Sequence, residues 1–366
     1  MCTNKVDKID CLHRNNNMNF EQYDRVRPLL WSAGCLQVLD QRLLPQQQTY
    51  LNCTTSEDVA LAIQSLAVRG APAIGIAGAF GVVLAAQASN ANTGDEVLEL
   101  ISQQVHRLVN SRPTAVNLRW AIERMQRCLA NTDSDWRQAI EQEAIAIQTE
   151  DLAANHAMGM LGVECLPEGA RVLTHCNTGS LATAGFGTAL GVIRAGVATG
   201  KIKHVYASET RPWLQGSRLT IWELLEDGIN ATLIADSASA YLMQLGKIDM
   251  VIVGADRICA NGDVANKIGT YAHALAAKAH GVKVMVVAPS STVDMDTLTG
   301  TEIEIEQRSA TELTHIGKQE VGAKAHDVYN PVFDVTPANC VDYLITEKGV
   351  IELPDLAKMQ AFFTHK

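Results

Sequence analysis

Beyond residue 170, short β-branched runs alternate with helical stretches, and this alternation restricts the second half of the chain to one class of fold. The runs are Arg171 to Thr174, His204 to Ala207, Thr232 to Ile234, Met250 to Val253, Lys283 to Ala288 and Tyr343 to Thr346. Helical stretches such as Leu181 to Val197 and Ile268 to Ala279 lie between them. Strands that are apolar on both faces and separated by helices pair in parallel, with the helices covering the sheet. The expectation is an α/β fold, a Rossmann-like parallel sheet flanked by helices, over residues 151–366. Residues 20–150 carry a helical period instead, with Val97, Leu98, Ile101, Val105 and Leu108 on one face, and Trp120 to Leu129 and Trp136 to Ile147 patterned likewise. Leu36 to Asp40 and Gln48 to Leu51 read as short strands around a turn at Pro45, and Ser56 as the N-cap of a helix with Glu57 and Asp58 in its first turn. This half is expected to be a smaller, mostly helical domain with a short antiparallel β element. Residues 1–19 are polar, lack the apolar core of a secretory signal, and read as a frayed tail.

Composition narrows the function. The formal net charge is −10, which argues against nucleic-acid binding, because that rests on clustered Lys and Arg. A small anionic substrate would need positive charge gathered locally. Nine cysteines show no C-x-x-C pair or zinc spacing, and the ten histidines show no ligand spacing. The expectation is a reducing, cytoplasmic setting with neither disulfides nor a metal. Ala71 to Ala86 is a run of sixteen uncharged residues. A membrane span needs about 20 apolar residues, and Pro72, Gly75, Gly78 and Gly81 interrupt this run. It reads as a buried, close-packed helix.

Open parallel sheets hold ligands beyond the carboxyl ends of their strands. Those positions are polar here: His175-Cys176-Asn177-Thr178-Gly179, Ser208-Glu209-Thr210-Arg211-Pro212, Asp236-Ser237 and Gly254-Ala255-Asp256-Arg257. Cys176 falls between a strand and a glycine-rich helix start, where converging N–H groups favour negative charge; the competing reading is a small buried apolar residue. Asp256 follows an apolar strand, and desolvation there suits a carboxyl to act as a general acid. Its competing reading is a loop cap or a partner for Arg257. Three segments offer anion-binding groups: Arg69-Gly70-Ala71-Pro72 before a helix, Arg112, and Asn266-Lys267 just ahead of another helix. The glycines miss the dinucleotide fingerprint, and no Walker loop, H-E-x-x-H or G-x-S-x-G is present.

Taken together, six motifs resemble one family. They are Arg69-Gly70-Ala71-Pro72-Ala73-Ile74-Gly75, Arg112-Pro113-Thr114-Ala115-Val116-Asn117-Leu118, Thr174-His175-Cys176-Asn177-Thr178-Gly179, Glu209-Thr210-Arg211-Pro212-Trp213-Leu214-Gln215-Gly216, Gly254-Ala255-Asp256-Arg257-Ile258, and the stretch from Asn261 to Thr270. In this order they resemble the methylthioribose-1-phosphate isomerases of methionine salvage, from about residue 28 to 352. The resemblance implies an aldose–ketose isomerisation of 5-methylthio-α-D-ribose 1-phosphate to 5-methylthio-D-ribulose 1-phosphate. It also implies a homodimer, no cofactor, and a small phosphorylated sugar as the ligand, with neither nucleic acid nor membrane as a partner. Cys176 and Asp256 fall on the family's catalytic pair, and Arg69, Gly70, Ala71, Arg112, Gln215, Asn266 and Lys267 on its substrate-binding positions. Cys259 stands where a small residue is usual. Two other functions share this architecture: isomerisation of ribose 1,5-bisphosphate, and a non-catalytic role as a regulatory subunit of the initiation-factor exchange complex.

Overall fold

The computed structural model describes residues 20–112, 115–132, 135–323 and 327–364. The tail at 1–19 and Pro113-Thr114 of the Arg112 motif lie outside these.

The first β element has three antiparallel strands where the sequence pattern indicated two: β1 (Leu29–Ser32), β2 (Cys35–Leu39) and β3 (Tyr50–Cys53), in the order β1-β2-β3. Its β1–β2 turn is Ala33-Gly34, both at positive φ (49° and 74°). Such a two-residue turn usually announces itself as Asn-Gly or Asp-Gly, so an alanine there hid the hairpin. Helix α1 (Ser56–Gln64) is capped by Thr55 and not by Ser56. The Thr55 hydroxyl accepts from the Asp58 amide at 3.1 Å while the Asp58 carboxylate accepts from the Thr55 amide at 2.9 Å, a reciprocal capping box.

Helix α2 (Ala71–Gln87) is the axis of this half, buried from Ala73 through Ala86. Around it pack α1, α4 (Ser102–Val109, following α3 at Gly94–Leu100), α5 (Val116–Ala130) and α6 (Trp136–Glu164). Its glycines set how closely they approach. A Cβ on Gly75 would lie 2.8 Å from the Asn117 carbonyl oxygen, and one on Gly78 would lie 2.4 Å from a Leu118 methyl. Among the described residues no helix is long and apolar enough to cross a membrane. Helix α6 runs unbroken through 150/151, so no linker marks a division there. Ile140, Ala144 and Ile147 join the helical core, while Met158 and Val163 join the core against the sheet.

The second half contributes β4 (Ala170–Thr174), β5 (Ile202–Ser208), β6 (Ala231–Ile234), β7 (Met250–Val253), β8 (Arg257–Cys259) and β9 (Val264–Lys267). Then follow β10 (Lys283–Val287), β11 (Val293–Asp294), β12 (His315–Ile316), β13 (Gln319–Glu320), β14 (Phe333–Thr336), β15 (Tyr343–Thr346) and β16 (Gly349–Glu352). The main sheet has the order β16-β15-β10-β7-β4-β5-β6. All six expected strands are in it and run parallel; β16 adds an antiparallel edge. Met250 to Val253 is buried at every position, which is why it reads as a continuous apolar run.

One expectation fails locally, and one sheet was not anticipated. The helix placed at Leu181 to Val197 begins only at Ala189. Gly185, Phe186 and Gly187 all have positive φ (158°, 61° and 87°), which no right-handed helix accommodates. Cys176 is therefore followed by an irregular loop rather than by an α-helix start. The second surprise is a four-stranded sheet, β11-β8-β9-β14. It puts Asn266 and Lys267 on a strand, β9, and the helix expected just after them runs from Thr270 to Ala279. Strands of two to four residues separated by turns carry too short a period to read from sequence.

Candidate active site

Strands β4 and β7 are neighbours in the main sheet, with Val172 opposite Met250 and Leu173 opposite Val251. Their carboxyl ends therefore deliver Cys176 and Asp256 side by side. Both residues line the same two adjoining cavities, together with Arg69 and Gly70. The geometry that would have removed the site, a thiol and a carboxyl on opposite faces, does not occur.

Cys176 is buried and sits at φ 62°, a left-handed conformation costing a non-glycine residue about 1–3 kcal/mol. Two hydroxyls hold it there. The Cys176 amide donates to Thr210 Oγ1 at 2.9 Å, and Thr220 Oγ1 donates to the Cys176 carbonyl at 2.5 Å. The following loop is organised by Glu223, whose buried carboxylate accepts from Asn177 Nδ2 (2.8 Å), the Ser180 amide (2.7 Å) and the Leu181 amide (3.2 Å). Arg194, wholly buried, balances Glu223 at 2.9 Å and Asp227 at 2.6 Å.

The helical half supplies the opposite wall. Arg69 reaches across to Asn177, donating to its side-chain oxygen at 2.8 Å and its carbonyl at 3.0 Å. Gly70 precedes α2 at φ 93°, and a Cβ there would lie 2.5 Å from Ala182. Only glycine fits. Ala71 lines the first cavity beside Pro72, Ala182, Ala255, Val287 and Ala288. Arg69, Asp256, Asn177, Asn266 and three threonines bring polar atoms into this chamber beside that apolar wall, and Thr178 Oγ1 has no hydrogen-bond partner among the described residues.

The second cavity is cationic. Arg69, Arg112, Lys267 and Arg308 line it, with Gln215 and Trp213. Gln215 is buried, and its Oε1 is likewise without a partner among the described residues. Lys267 donates to the Val332 carbonyl at 2.9 Å and lies over the Phe333 ring. Glu306 sits behind Arg112 (3.5 Å) and Arg308 (3.0 Å). Every expected binding residue thus lines one cavity or the other. Arg308 is the cation that sequence reasoning missed, because Glu306-Gln307-Arg308 belongs to no motif and reaches the site only through tertiary packing.

Burial raises the Asp256 carboxyl above the usual range, against the lowering pull of Lys267, Arg69, Arg112 and Arg308. A carboxyl whose hold on its proton is strengthened in this way is better suited to act as a general acid. Burial also pushes the Lys267 ammonium down to about 8. For Glu306 burial would raise the carboxyl, but Arg112 and Arg308 hold it below its ordinary value. A unit charge pair at 4 Å is worth about 4 kcal/mol near a protein surface, and salt screens beyond roughly 8 Å. Four cations around one cavity therefore outweigh a diffuse net charge of −10. The alternative reading of Asp256 as a partner for Arg257 loses ground, since Arg257 approaches Asp294 at 3.4 Å.

Structure also gathers what sequence spacing kept apart: His175, Asp236 and His273 bring potential ligand atoms within 4.8 Å of one another behind Cys176.

Comparison with known proteins places this arrangement. The sequence model of the Initiation factor 2 subunit family matches residues 67–353. A methylthioribose-1-phosphate isomerase of Xanthomonas euvesicatoria is 59% identical over 347 residues, 95% of this chain and 98% of the relative. One from Stenotrophomonas maltophilia is 58% identical over 348 residues with the same coverage. Among solved structures, the 5-methylthioribose 1-phosphate isomerase of Pyrococcus horikoshii superposes with a TM-score of 0.89 at 42% identity, covering 96% of this chain and 99% of that one. A structure described as the delta subunit of translation initiation factor eIF-2B from A. fulgidus superposes with a TM-score of 0.81 at 44% identity, covering 92% of this chain and 99% of that one.

Proposed function

The chain belongs to the Initiation factor 2 subunit family, within its methylthioribose-1-phosphate isomerases, and we propose that it converts 5-methylthio-α-D-ribose 1-phosphate to 5-methylthio-D-ribulose 1-phosphate in methionine salvage, with Cys176 and Asp256 as the reacting pair. One observation carries the assignment of roles: those two side chains stand at the junction of a chamber lined by four cations and one that has a single cation, Arg69, and an apolar wall. The phosphate belongs with Arg69, Arg112, Lys267 and Arg308. The methylthio end belongs against Pro72, Val287 and Ala288. A second phosphate, as in ribose 1,5-bisphosphate, would be desolvated against that apolar wall with Arg69 as the one cation lining the chamber.

Phosphate on C1 locks the sugar as a cyclic acetal, so the ring must open before hydrogen can move. A protonated Asp256 gives its proton to the ring oxygen as the C1–O bond breaks. A hydrogen then passes from C2 to C1, either as a proton through Cys176 and an enediol, or as hydride within a dry pocket in which Cys176 only stabilises charge. Product formed in heavy water separates the routes: deuterium at C1 marks proton transfer. The orphaned oxygens of Thr178 and Gln215 are suited to accept hydrogen bonds from sugar hydroxyls.

Incubation with the methylthio sugar phosphate should yield the ketose, with ribose 1,5-bisphosphate turned over far more slowly. Absence of the ketose would sink the reading. The alternative, a regulatory subunit, draws on the A. fulgidus likeness, and an intact Cys176–Asp256 pair within a cation-lined cavity weighs against it. Cys176→Ala should lower kcat by about 10²-fold or more, with KM nearly unchanged. Lys267 is charged below about 8, so KM for the sugar phosphate should rise as pH passes through that value. Lys267→Arg, charged throughout, should flatten the rise; an identical profile in the variant would show that Lys267 is not the group titrating. We take the enzyme to act in the cytosol as a homodimer on this small-molecule substrate, without nucleic-acid or membrane partners. Its mass in solution tests the dimer.

A further inference from the structure

Behind Cys176 lies a buried side-chain network that the chemistry above does not use. His175 Nε2 faces the Ile268 carbonyl at 2.8 Å. A carbonyl only accepts, so this nitrogen carries the proton and Nδ1 is an acceptor. Nδ1 meets Ser208 Oγ at 2.6 Å and His273 Nε2 at 3.2 Å. His273 Nε2 therefore donates, and its Nδ1 accepts from Ser239 Oγ at 2.8 Å. Every ring nitrogen is engaged with both imidazoles neutral. Burial keeps them so, holding His175 down at about 4 and His273 at about 3.

We propose that His175 and His273 are positioning residues for the isomerisation, clamping the Cys176 loop to the turn that follows Lys267. The contacts trace that path. His175 adjoins Cys176 in sequence, and Ile268 adjoins Lys267. A Cβ on Gly269 would lie 3.1 Å from His175 Nε2, and the Gly269 amide is itself held by Asp334 at 2.7 Å. On the other side, Asp236 accepts from the Thr210 and Arg211 amides, each at 2.7 Å, and Thr210 Oγ1 accepts from the Cys176 amide. The thiol and the phosphate-binding lysine are thus fixed relative to each other through imidazole hydrogen bonds. Cys176 occupies a strained backbone conformation, and strain persists only where the surroundings over-determine it.

A divalent cation held by His175, Asp236 and His273 is the competing account of this cluster. It fares worse, because His175 has no free nitrogen: Nε2 faces the Ile268 carbonyl, and Nδ1 meets the Ser208 hydroxyl and His273 Nε2.

His175→Phe, similar in bulk but without ring donors, should lower kcat about 100-fold with KM little changed, the cost of a small misplacement at the reacting centre. His175→Gln retains a donor for Ile268 and should recover at least a tenfold share of that loss. Iodoacetamide labelling of Cys176, read by mass spectrometry on the folded enzyme, should change in rate with Phe and return with Gln. A role confined to core packing would instead lower the melting temperature and leave kcat per folded molecule intact. Should the Phe variant fail to fold, Ser208→Ala and His273→Gln test the same network, with a several-fold fall in kcat at constant KM expected. Unchanged kcat in those variants, a Gln variant no better than Phe, or stoichiometric zinc on the purified enzyme that His273→Gln abolishes would overturn the proposal. The inference rests on the isomerase reading, yet the labelling rate needs no substrate. Inactivity of the wild-type enzyme on the sugar phosphate would count against that reading, while unaltered labelling would count against the clamp.

Discussion

Asp256→Asn should lower kcat by about 10²–10⁴-fold while leaving KM for the sugar phosphate within a few-fold of wild type, the range expected when a positioned general acid is lost. The side chains are nearly isosteric, so packing at the end of β7 is retained, including the hydrogen bond from the Asp256 backbone amide to the Ala265 carbonyl at 2.9 Å. What disappears is the proton destined for the ring oxygen, since a carboxamide cannot deliver one near neutrality. Binding should be spared, because the proposed phosphate site is formed by Arg69, Arg112, Lys267 and Arg308. Steady-state kinetics at several pH values check this. Near-normal kcat would remove Asp256 from the acid role, and a loss confined to KM would make it a binding group.

The largest effect on stability should come from Arg194→Met. Its guanidinium is fully buried between Glu223 and Asp227. Removing one side of a buried charge cluster costs about 3–5 kcal/mol, because the remaining charges keep their desolvation penalty and lose its compensation. A fall in melting temperature on the order of 10 °C follows. Glu223 also anchors Asn177, Ser180 and Leu181, so activity should fall with stability as the loop after Cys176 loosens. Pairing Arg194→Met with Glu223→Gln should cost less than the sum of the two, since they remove opposite charges from one network. Strict additivity, or an unchanged melting temperature, would show that the cluster is not coupled as its geometry indicates.

The proposed reacting pair was legible because parallel-sheet strands announce themselves as apolar runs and their ligands lie just beyond them. Cys176 and Asp256 could be marked from that rule alone, Arg69 and Gly70 from their place before a helix, and the motif resemblance then supplied Gln215. Arg308 was not legible. It lies far along the chain from Lys267, in a segment without periodic structure, and only packing of that segment over β9 and β14 brings it to the phosphate chamber. The same holds for β1, hidden by an Ala-Gly turn, and for the loop at 183–188, where positive φ at Gly185, Phe186 and Gly187 delays the helix to Ala189.

Sequence by itself determined the alternation of strands and helices, the parallel sheet it enforces, and the chemistry placed at the strand ends, because hydrophobic period and local propensity are properties of neighbours along the chain. Tertiary structure decided which strand ends stand next to each other, which cations converge, and which histidines share a proton. Those depend on strand order and on contacts between residues a hundred positions apart, such as Arg69 with Asn177 and His175 with His273, and no local pattern encodes them.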